Sequence, residues 1–284
     1  VGVGLVPLGT PGGEGTMTGL WSALLDALPG NWEVFKEWVY WEFLLKALWL
    51  VTKMAFVAIV LSIVLGTTMA VARLAPVRAV RWFATTYVEG FRATPLLLLL
   101  FFVFFGGGRV DLGWLLNIPL GDNLVDDAGR IDRFWAAVVA LTLYNSAVVA
   151  EIMRAGILSI SKGILEAGRA LGLTYLQTMR EIAVPIALRR MAPGLVSQLI
   201  TLFKDTSLAS IIGVFELIRR GRLIYENPAN SNAIEVLLVV GLMYFVPCYV
   251  LSLIAARLEN GPETRAARDA AALRAVEPGP RASG

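Results

Sequence analysis

The sequence predicts an all-α membrane protein with about five transmembrane helices. Of its 284 residues, 57% are hydrophobic, and the mean hydropathy is +0.68, which exceeds the usual range of soluble domains. The apolar residues fall in blocks of about 20, the length at which a helix spans a bilayer. These blocks also lack the two-residue alternation that is typical of membrane β-strands.

The predicted spans are bounded by charged residues. Lys53 and Arg73 flank the first, and Arg257 closes the last. The second contains Thr94 and Pro95, where we expect a break or kink, because proline lacks a backbone donor and disfavours helix just before it. The spans are predicted near residues 54–72, 82–105, 134–150, 191–215 and 236–256.

The ends of the chain differ in composition from its centre. Residues 1–30 are rich in Gly and Pro and predict a flexible tail, and residues 259–284 predict a charged cytoplasmic tail. The membrane domain is therefore predicted at 31–258. Aromatic crowding at residues 31–43 predicts an interfacial helix before the first span, because amphipathic rings favour the headgroup region.

The distribution of Lys and Arg predicts the orientation. Five spans place the two termini on opposite sides of the membrane, and basic residues favour the cytoplasmic side. With the N-terminus outside, the inner segments hold more of these residues, and the acidic loop at 107–133 lies outside. Arg219, Arg220 and Arg222 then lie on the disfavoured outer side.

The composition excludes several kinds of catalytic site. The chain has no His, and its only Cys is Cys248, so His-based zinc sites, Ser-His-Asp triads and Cys-His dyads are unavailable. It also lacks a GxxxxGK[ST] phosphate-binding loop. We expect no catalytic residue, metal or cofactor site in this chain, and no nucleic-acid partner.

The loop between the third and fourth spans carries most of the functional information. Residues 161–185 read SKGILEAGRALGLTYLQTMREIAVP. The pattern predicts two short helices joined near Gly172, with Pro185 ending the stretch. A basic helix pair with an apolar face needs a partner, either lipid headgroups or a groove on a cytoplasmic protein.

This loop resembles the EAA loop of ABC importer permeases. In that pattern EAA is followed by three residues, Gly, nine residues, Ile, one residue, Leu and Pro. The chain matches every spacing, with Gly168 in place of Ala and Val184 in place of Leu. Residues 89–106, 145–157 and 202–213 also resemble signature segments of the amino-acid branch, and the resemblance covers about residues 45–260.

The resemblance implies a type I importer permease for amino acids, with acidic or polar substrates such as glutamate, aspartate or glutamine. It implies a bacterial-type inner membrane, a second permease subunit (identical or homologous) and an extracytoplasmic binding protein. It also implies cytoplasmic ATPase subunits that bind ATP and Mg²⁺ and receive the coupling helices. The coupling residues implied in this chain are Glu166, Ala167, Gly168, Gly172 and Leu176.

Polar residues at predicted membrane depth are candidates for the substrate pathway. Charges there are costly and usually face the bundle interior or water. They could line the pathway or could pair internally, as Lys204 with Asp205, Glu89 with Arg92 and Glu151 with Arg154. The pathway candidates are Arg92, Thr94, Asn145, Ser146, Glu151, Lys204, Asp205, Thr206 and Ser207.

Two other functional classes fit the sequence less well. A secondary transporter or channel would suit the charges in the spans but predicts an inverted internal repeat, which the sequence does not show. An intramembrane enzyme is disfavoured, since the chain has no His, no HExxH motif and no carboxylate pair at a plausible spacing.

Overall fold

The computed structural model describes residues 25–26, 30, 32–107, 132–227 and 233–259. The predicted tails at 1–30 and 259–284 and the predicted acidic loop at 107–133 fall almost wholly outside these ranges. The helices are α1 (Trp38–Arg73), α2 (Arg78–Ala93), α3 (Leu96–Gly107), α4 (Arg133–Leu158), α5 (Lys162–Ala170), α6 (Val184–Asp205), α7 (Leu217–Tyr225) and α8 (Ala233–Glu259).

Within the described ranges, α1, α4 and α8 are each long and apolar enough to cross a membrane, and α2 with α3 forms a fourth, bent candidate. The remaining long helix, α6, has 22 residues, or about 33 Å at the usual helical rise. It is less apolar because Arg189, Arg190, Lys204 and Asp205 lie near its two ends. Each of these elements overlaps one of the five predicted spans in sequence, although α6 is not among the described helices that are apolar enough to cross a membrane.

The first span is longer than the sequence pattern predicts. α1 follows a 3-10 turn at Glu33–Lys36 and continues for 36 residues. No Gly or Pro interrupts it before the apolar run, and Glu42 pairs with Lys46 one turn later at 2.6 Å, a spacing that supports helix. The predicted interfacial helix and first span are therefore largely one element.

The second span is divided at the predicted residues. α2 ends at Ala93 and α3 begins at Leu96, with a bend of 106° between them. The carbonyl of Pro95 accepts the first backbone bond of α3, from Leu99 N at 3.0 Å. The predicted break at Thr94–Pro95 is thus confirmed, and it divides the predicted span at 82–105 into two helices, because Pro95 cannot continue the hydrogen-bond ladder of α2.

The fourth span is displaced relative to the predicted 191–215. Its helix begins with Tyr175–Gln177, passes through a π-helical turn at Thr178–Ala183 and continues as α6. Pro185 therefore does not end the loop. The turn before it has the wider i→i+5 spacing, which tolerates a residue without an N–H better than a regular α-helix does. A 3-10 turn, Thr206–Ser210, follows α6.

The chain forms two compact units. The first comprises Val1–Val60, Thr94–Tyr144 and Leu202–Val246. In this unit Glu216 is the N-cap of α7, where its carboxylate accepts hydrogen bonds from Ile218 N at 2.9 Å and Arg219 N at 2.7 Å. Arg220 donates to the carbonyl of Phe43 at 2.8 Å and lies 4.7 Å from that residue's ring centroid. These contacts attach α7 to the start of α1.

The second unit comprises Leu61–Ala93, Asn145–Thr201 and Pro247–Gly284. Its core includes Met153, Met179 and Ala187, from α4, the π-helical turn and α6. A Cβ added to Gly66 would lie 2.6 Å from the carbonyl oxygen of Ser146. α1 and α4 therefore approach closely at Gly66, as small residues commonly permit between membrane helices.

Candidate functional site

The turn at Gly172 gives the 161–185 loop its shape. α5 ends in a Schellman motif, in which Gly172 N donates to Arg169 O at 2.9 Å and Leu173 N to Gly168 O at 3.3 Å. Gly172 has φ +83°, a left-handed conformation that costs other residues more than it costs glycine. The predicted junction of the two helices is therefore present at the predicted glycine.

The second helix of the loop begins with a capping box. Thr174 N donates to the side-chain oxygen of Gln177 at 2.8 Å, and Gln177 N donates to the Thr174 hydroxyl at 3.4 Å. This reciprocal pair satisfies donors that the start of a helix otherwise leaves free. The chain thus changes direction between Gly172 and Thr174 through two local motifs that the sequence itself encodes.

The loop has one packed side and one exposed side. Gly168 is buried, and a Cβ there would lie 2.7 Å from Cδ1 of Ile182. Glu166, Ala167 and Gly172 are exposed, and Leu171 and Leu176 are 83% and 70% exposed. Four of the five predicted coupling residues are therefore accessible, together with Leu171, and Gly168 has a packing role in this structure.

A cluster of ion pairs centres on Glu151 in α4. Its carboxylate accepts hydrogen bonds from Arg73, from Arg154 Nε at 2.9 Å and from Arg92 Nη1 at 3.4 Å. Arg73 also donates to Glu89 at 3.1 Å. The predicted pairing of Glu151 with Arg154 is confirmed. The predicted pairing of Glu89 with Arg92 is wrong, because Arg73 from α1 takes that carboxylate.

The cluster is partly screened from solvent. The side chain of Arg73 is 12% exposed and that of Glu151 is 21% exposed, whereas Arg92 is 45% exposed. Three arginines and two glutamates leave a net positive charge. The arrangement holds α1, α2 and α4 together while leaving the Arg92 guanidinium available to a further anion.

Two polar contacts lie about one and a half helical turns from Glu151 along α4. The Asn145 side-chain oxygen accepts from Gln198 Nε2 in α6 at 2.5 Å, and the Ser146 hydroxyl is 2.7 Å from the Tyr87 hydroxyl in α2. Asn145 and Ser146 are fully buried. Both side chains therefore bridge helices in this conformation. The amide and hydroxyl groups in these contacts could also form hydrogen bonds with a zwitterionic ligand.

The other pathway candidates belong to the first unit. Lys204 and Asp205 are the last residues of α6, and Lys204 is exposed. Thr206 and Ser207 fall in the 3-10 turn rather than within a span, and the Thr206 hydroxyl donates to Phe203 O at 2.6 Å. Thr94 lies at the break between α2 and α3. The nine candidates are thus divided between the two units.

Sequence reasoning missed three contributors to these contacts. In the predicted topology Arg73 only bounds a span, and neither Tyr87 nor Gln198 is among the predicted site residues. Gln198 was detectable as an amide within the predicted apolar span at 191–215. Arg73 was not, because its two partners lie 16 and 78 positions away in the chain, beyond the reach of local spacing.

The first unit also contains a basic concavity of about 470 Å³ beside α7, lined by Ser210, Arg219, Arg222 and Tyr225 among others. Arg222 pairs with Glu226 at 2.8 Å, and the Arg219 guanidinium lies 6.0 Å from the Phe215 ring. Nearby, burial raises the pKa of Glu216 despite the hydrogen bonds that its carboxylate accepts. The concavity presents positive charge suited to an acidic partner.

Residues 38–263 match the protein family described as the binding-protein-dependent transport system inner membrane component. The match covers most of the chain and both units. The chain belongs to this family. It is a multi-pass inner-membrane permease subunit of the ABC importer class, and hydrolysis of ATP in such systems occurs on a separate ATPase subunit.

Curated relatives agree with this assignment. The chain is 36% identical to the arginine transport system permease of Bacillus subtilis, over 77% of this chain and 91% of that protein. It is 41% identical to the probable glutamine ABC transporter permease of Bacillus subtilis, over 72% and 87%. It is 35% identical to the glutamate/aspartate import permease of Escherichia coli O6:H1, over 84% and 96%.

Solved structures show the same fold. An amino acid ABC transporter crystallised with histidines matches with a TM-score of 0.61 and 28% identity, over 78% of this permease and 94% of that chain. An inward-facing methionine ABC transporter matches with a TM-score of 0.55 and 24% identity, over 76% and 94%. The type I importer permease fold is therefore confirmed, and a secondary transporter or intramembrane enzyme is set aside.

Proposed function

We propose that this permease imports an amino acid with an acidic or polar side chain, such as glutamate, aspartate or glutamine. The relatives named for glutamate/aspartate and glutamine support this substrate class. Arginine is the competing substrate, because an arginine permease is similarly related. The positive charge around Glu151 favours an anionic or neutral substrate over a cationic one.

The exposed side of the 161–185 loop is the observation that carries the mechanism. Leu171 and Leu176 expose most of their surface next to Glu166, on a turn fixed by the left-handed Gly172. Exposed leucines on a rigid turn are what a groove on a partner protein would bury. In the complete importer this loop docks into the cytoplasmic ATPase, which binds ATP and Mg²⁺.

The orientation follows from this contact and from the basic residues. The loop and the C-terminus face the cytoplasm, and the N-terminus faces outward. The ATPase then acts from one side while the binding protein delivers substrate from the other. Closure of the ATPase dimer biases a two-state permease toward the outward-open state, because each partner binds one state more tightly than the other.

The substrate pathway includes the polar contacts of the second unit. Gln198 and Asn145, with the Arg92 guanidinium, provide donors and acceptors that can hold the carboxylate and ammonium of an amino acid. In the present conformation Asn145 is bonded to Gln198, so substrate must displace that contact. Arg92 remains 45% exposed and serves as the anion-binding group.

The basic concavity beside α7 receives the extracytoplasmic binding protein. Arg219 and Arg222 lie on the side where basic residues are disfavoured, and acidic side chains of a docking partner would compensate for their position. Arg222→Gln should slow docking of the binding protein and reduce the salt dependence of docking, because rim charges act mainly on association rate. Unchanged docking would show that the concavity does not receive the binding protein.

The transport path also needs a second permease subunit, identical or homologous. Only 11% of the most apolar stretch of α8 is buried, so this helix has surface for lipid and for such a subunit. Five spans are few for a complete pathway, which supports assembly as a pair.

Co-purification of the permease with its ATPase tests the coupling proposal. Leu171→Asp should release the ATPase while the permease still inserts in the membrane, because the aspartate would place a charge in an apolar contact. Leu171→Met, which keeps the side chain apolar and similar in volume, is the matched control and should retain the ATPase. Normal retention by both variants would remove Leu171 from the contact.

A further inference from the structure

An apolar groove of about 700 Å³ lies within the second unit, outside the ion-pair cluster and the polar contacts described above. Its walls come from the C-terminal part of α1, the start of α2 and the segment that begins α6. The residues that define its course are Ile63, Val64, Val71, Val80, Met179 and Leu188.

The groove offers few polar groups to a ligand. The Thr68 hydroxyl is bonded to the carbonyl of Val64 at 2.8 Å, and the Tyr175 hydroxyl to that of Val71 at 2.8 Å. Thr67 is the exception, since its buried hydroxyl has no partner among the described residues. A zwitterionic amino acid would lose its hydration there without gaining hydrogen bonds, so the groove suits a hydrocarbon chain.

The depth of the groove matches one leaflet of a bilayer. It begins at Ile63 in α1, ten residues before the helix ends at Arg73. At the helical rise this distance is about 15 Å, and the hydrocarbon thickness of a single leaflet is also about 15 Å. The groove then continues past the end of α1 to Val77 and Val80, beyond the length that the hydrocarbon of one leaflet would cover.

Basic residues stand at the headgroup end. Arg180 lines the groove, its side chain is 87% exposed, and its ion pair with Glu181 is long, at 3.5 Å. Arg78 and Arg81 are exposed on the first turns of α2, next in sequence to Val77 and Val80. An anionic headgroup at this position would be attracted by each of these charges.

From this combination of apolar lining, leaflet depth and basic rim, we infer that the groove binds one anionic phospholipid. An acyl chain lies along α1 from Val71 toward Ile63, and the phosphate contacts Arg180. The assignment to the cytoplasmic leaflet rests on the orientation proposed above, whereas the binding itself does not.

The location gives the lipid a route to regulation. Tyr175, Leu176 and Met179 line the groove and belong to the segment that follows the exposed turn of the coupling loop. A lipid in the groove therefore contacts α1 and the coupling segment together, and favours the conformation in which the two are packed as in this structure. Anionic lipid should accordingly change the rate at which the assembled importer hydrolyses ATP.

Native mass spectrometry of the assembled transporter, with its ATPase and partner permease, tests this inference. Phosphatidylglycerol should remain bound to the wild type after detergent exchange, whereas phosphatidylcholine should be lost. Val64→Trp fills the deep end of the groove and should abolish retention. Val64 is 63% exposed, so the larger ring need not disturb the core. Leu61→Trp, at an exposed position of α1 outside the groove, should retain the lipid.

The headgroup contact has its own pair of variants. Arg180→Gln should weaken phosphatidylglycerol binding about fivefold, the equivalent of about 1 kcal/mol for one basic residue near an anionic surface. Arg189→Gln, an exposed arginine of α6 outside the groove lining, should leave affinity unchanged. Equal retention of both lipids, or retention by Val64→Trp equal to that of wild type, would overturn the inference, as would a protein chain occupying the groove.

The measurement is separate from the transport function. Lipid retention requires neither ATP nor substrate, so failure of ATP-driven uptake would reject the importer proposal and leave this result standing. Conversely, an importer that transports normally but binds no phospholipid in the groove would reject only the present inference.

Discussion

Arg73 in α1 donates a hydrogen bond to Glu151 in α4, although the two residues are 78 positions apart in the chain. Both side chains are largely screened from solvent. A charged pair in such surroundings is costly to break from one side only, because the remaining charge is poorly hydrated and keeps fewer partners. The contact therefore determines how these two helices pack in the second unit.

Glu151→Gln should destabilise the permease by about 3 kcal/mol, because it removes the carboxylate that Arg154 and Arg92 share and leaves Arg73 with Glu89 alone. Unfolding in mixed detergent, or thermal unfolding of the assembled transporter, would measure the change. Glu89→Gln is the matched control. The Glu89 side chain is 57% exposed and pairs only with Arg73 among the ion pairs described, so its loss should cost less than about 1 kcal/mol. Equal effects of the two variants would contradict a central role for Glu151.

Gly172→Ala should weaken ATPase association and lower the stability of the loop by about 1 kcal/mol, because it places a Cβ at a left-handed φ of +83°. Apart from its two chain neighbours, no atom of the described residues lies within 4 Å of that Cβ position, so any effect reports backbone strain rather than a clash. Gly163→Ala is the control, since that helical position is also open and alanine favours helix. The two alanine variants should therefore change stability in opposite directions, as thermal unfolding would show.

Glu216 should make stability depend on pH. Burial raises the pKa of the Glu216 carboxyl in the folded protein, so the folded protein binds this proton more tightly than the unfolded chain does. Its contribution to stability is fully present below the unfolded value of about 4.3 and is lost as the pH rises through the folded value. Glu216→Gln should remove the pH dependence of the free energy of unfolding at pH values just above the ordinary pKa of Glu. An unchanged pH profile of stability would argue that Glu216 is not the titrating group.

Truncation of the same residue tests its structural role. Glu216→Ala removes the acceptor for two backbone donors and for the Tyr244 hydroxyl, and should cost about 1–3 kcal/mol. Tyr244→Phe removes a single donor and should cost about 1 kcal/mol. Thermal unfolding of both variants compares the two losses of stability. A greater loss of stability in Tyr244→Phe than in Glu216→Ala would contradict the proposed role of the Glu216 carboxylate.

Gln198→Ala should impair transport more than it impairs assembly. The side chain contacts Asn145, and the proposal assigns both to the substrate pathway. Uptake by reconstituted vesicles should fall severalfold, while ATPase co-purification remains normal. Gln198→Asn keeps the amide and should retain part of the uptake. Normal uptake by the alanine variant would show that the contact of Gln198 with Asn145 has a structural role and no role in transport.

The elements that sequence predicted best are those fixed by local chemistry. The last span, predicted at 236–256, is Ala233–Glu259, and the break was expected at Thr94–Pro95, where it occurs. The junction at Gly172 was likewise predicted, because a glycine ends a helix through the conformation of its own backbone and needs no distant partner. In each case the residues that determine the structural feature are the same few residues that form it.

The elements that sequence missed depend on distant partners. Local spacing suggested Glu89 with Arg92, but tertiary packing brings Arg73 to Glu89 instead. Likewise, aromatic crowding at residues 31–43 favoured a separate interfacial helix, although α1 continues through most of this stretch, supported by the i,i+4 ion pair of Glu42 with Lys46. The helix of the fourth span began earlier than the apolar run, since the π-helical turn preceding Pro185 carries it into the loop.

Uptake by proteoliposomes tests the central claim most directly. Vesicles would contain the permease assembled with its ATPase facing the lumen, with labelled glutamate or glutamine and the binding protein added outside. The account predicts accumulation that requires both lumenal ATP and the external binding protein. Accumulation driven by an ion gradient, in vesicles that contain the permease without any ATPase, would contradict it.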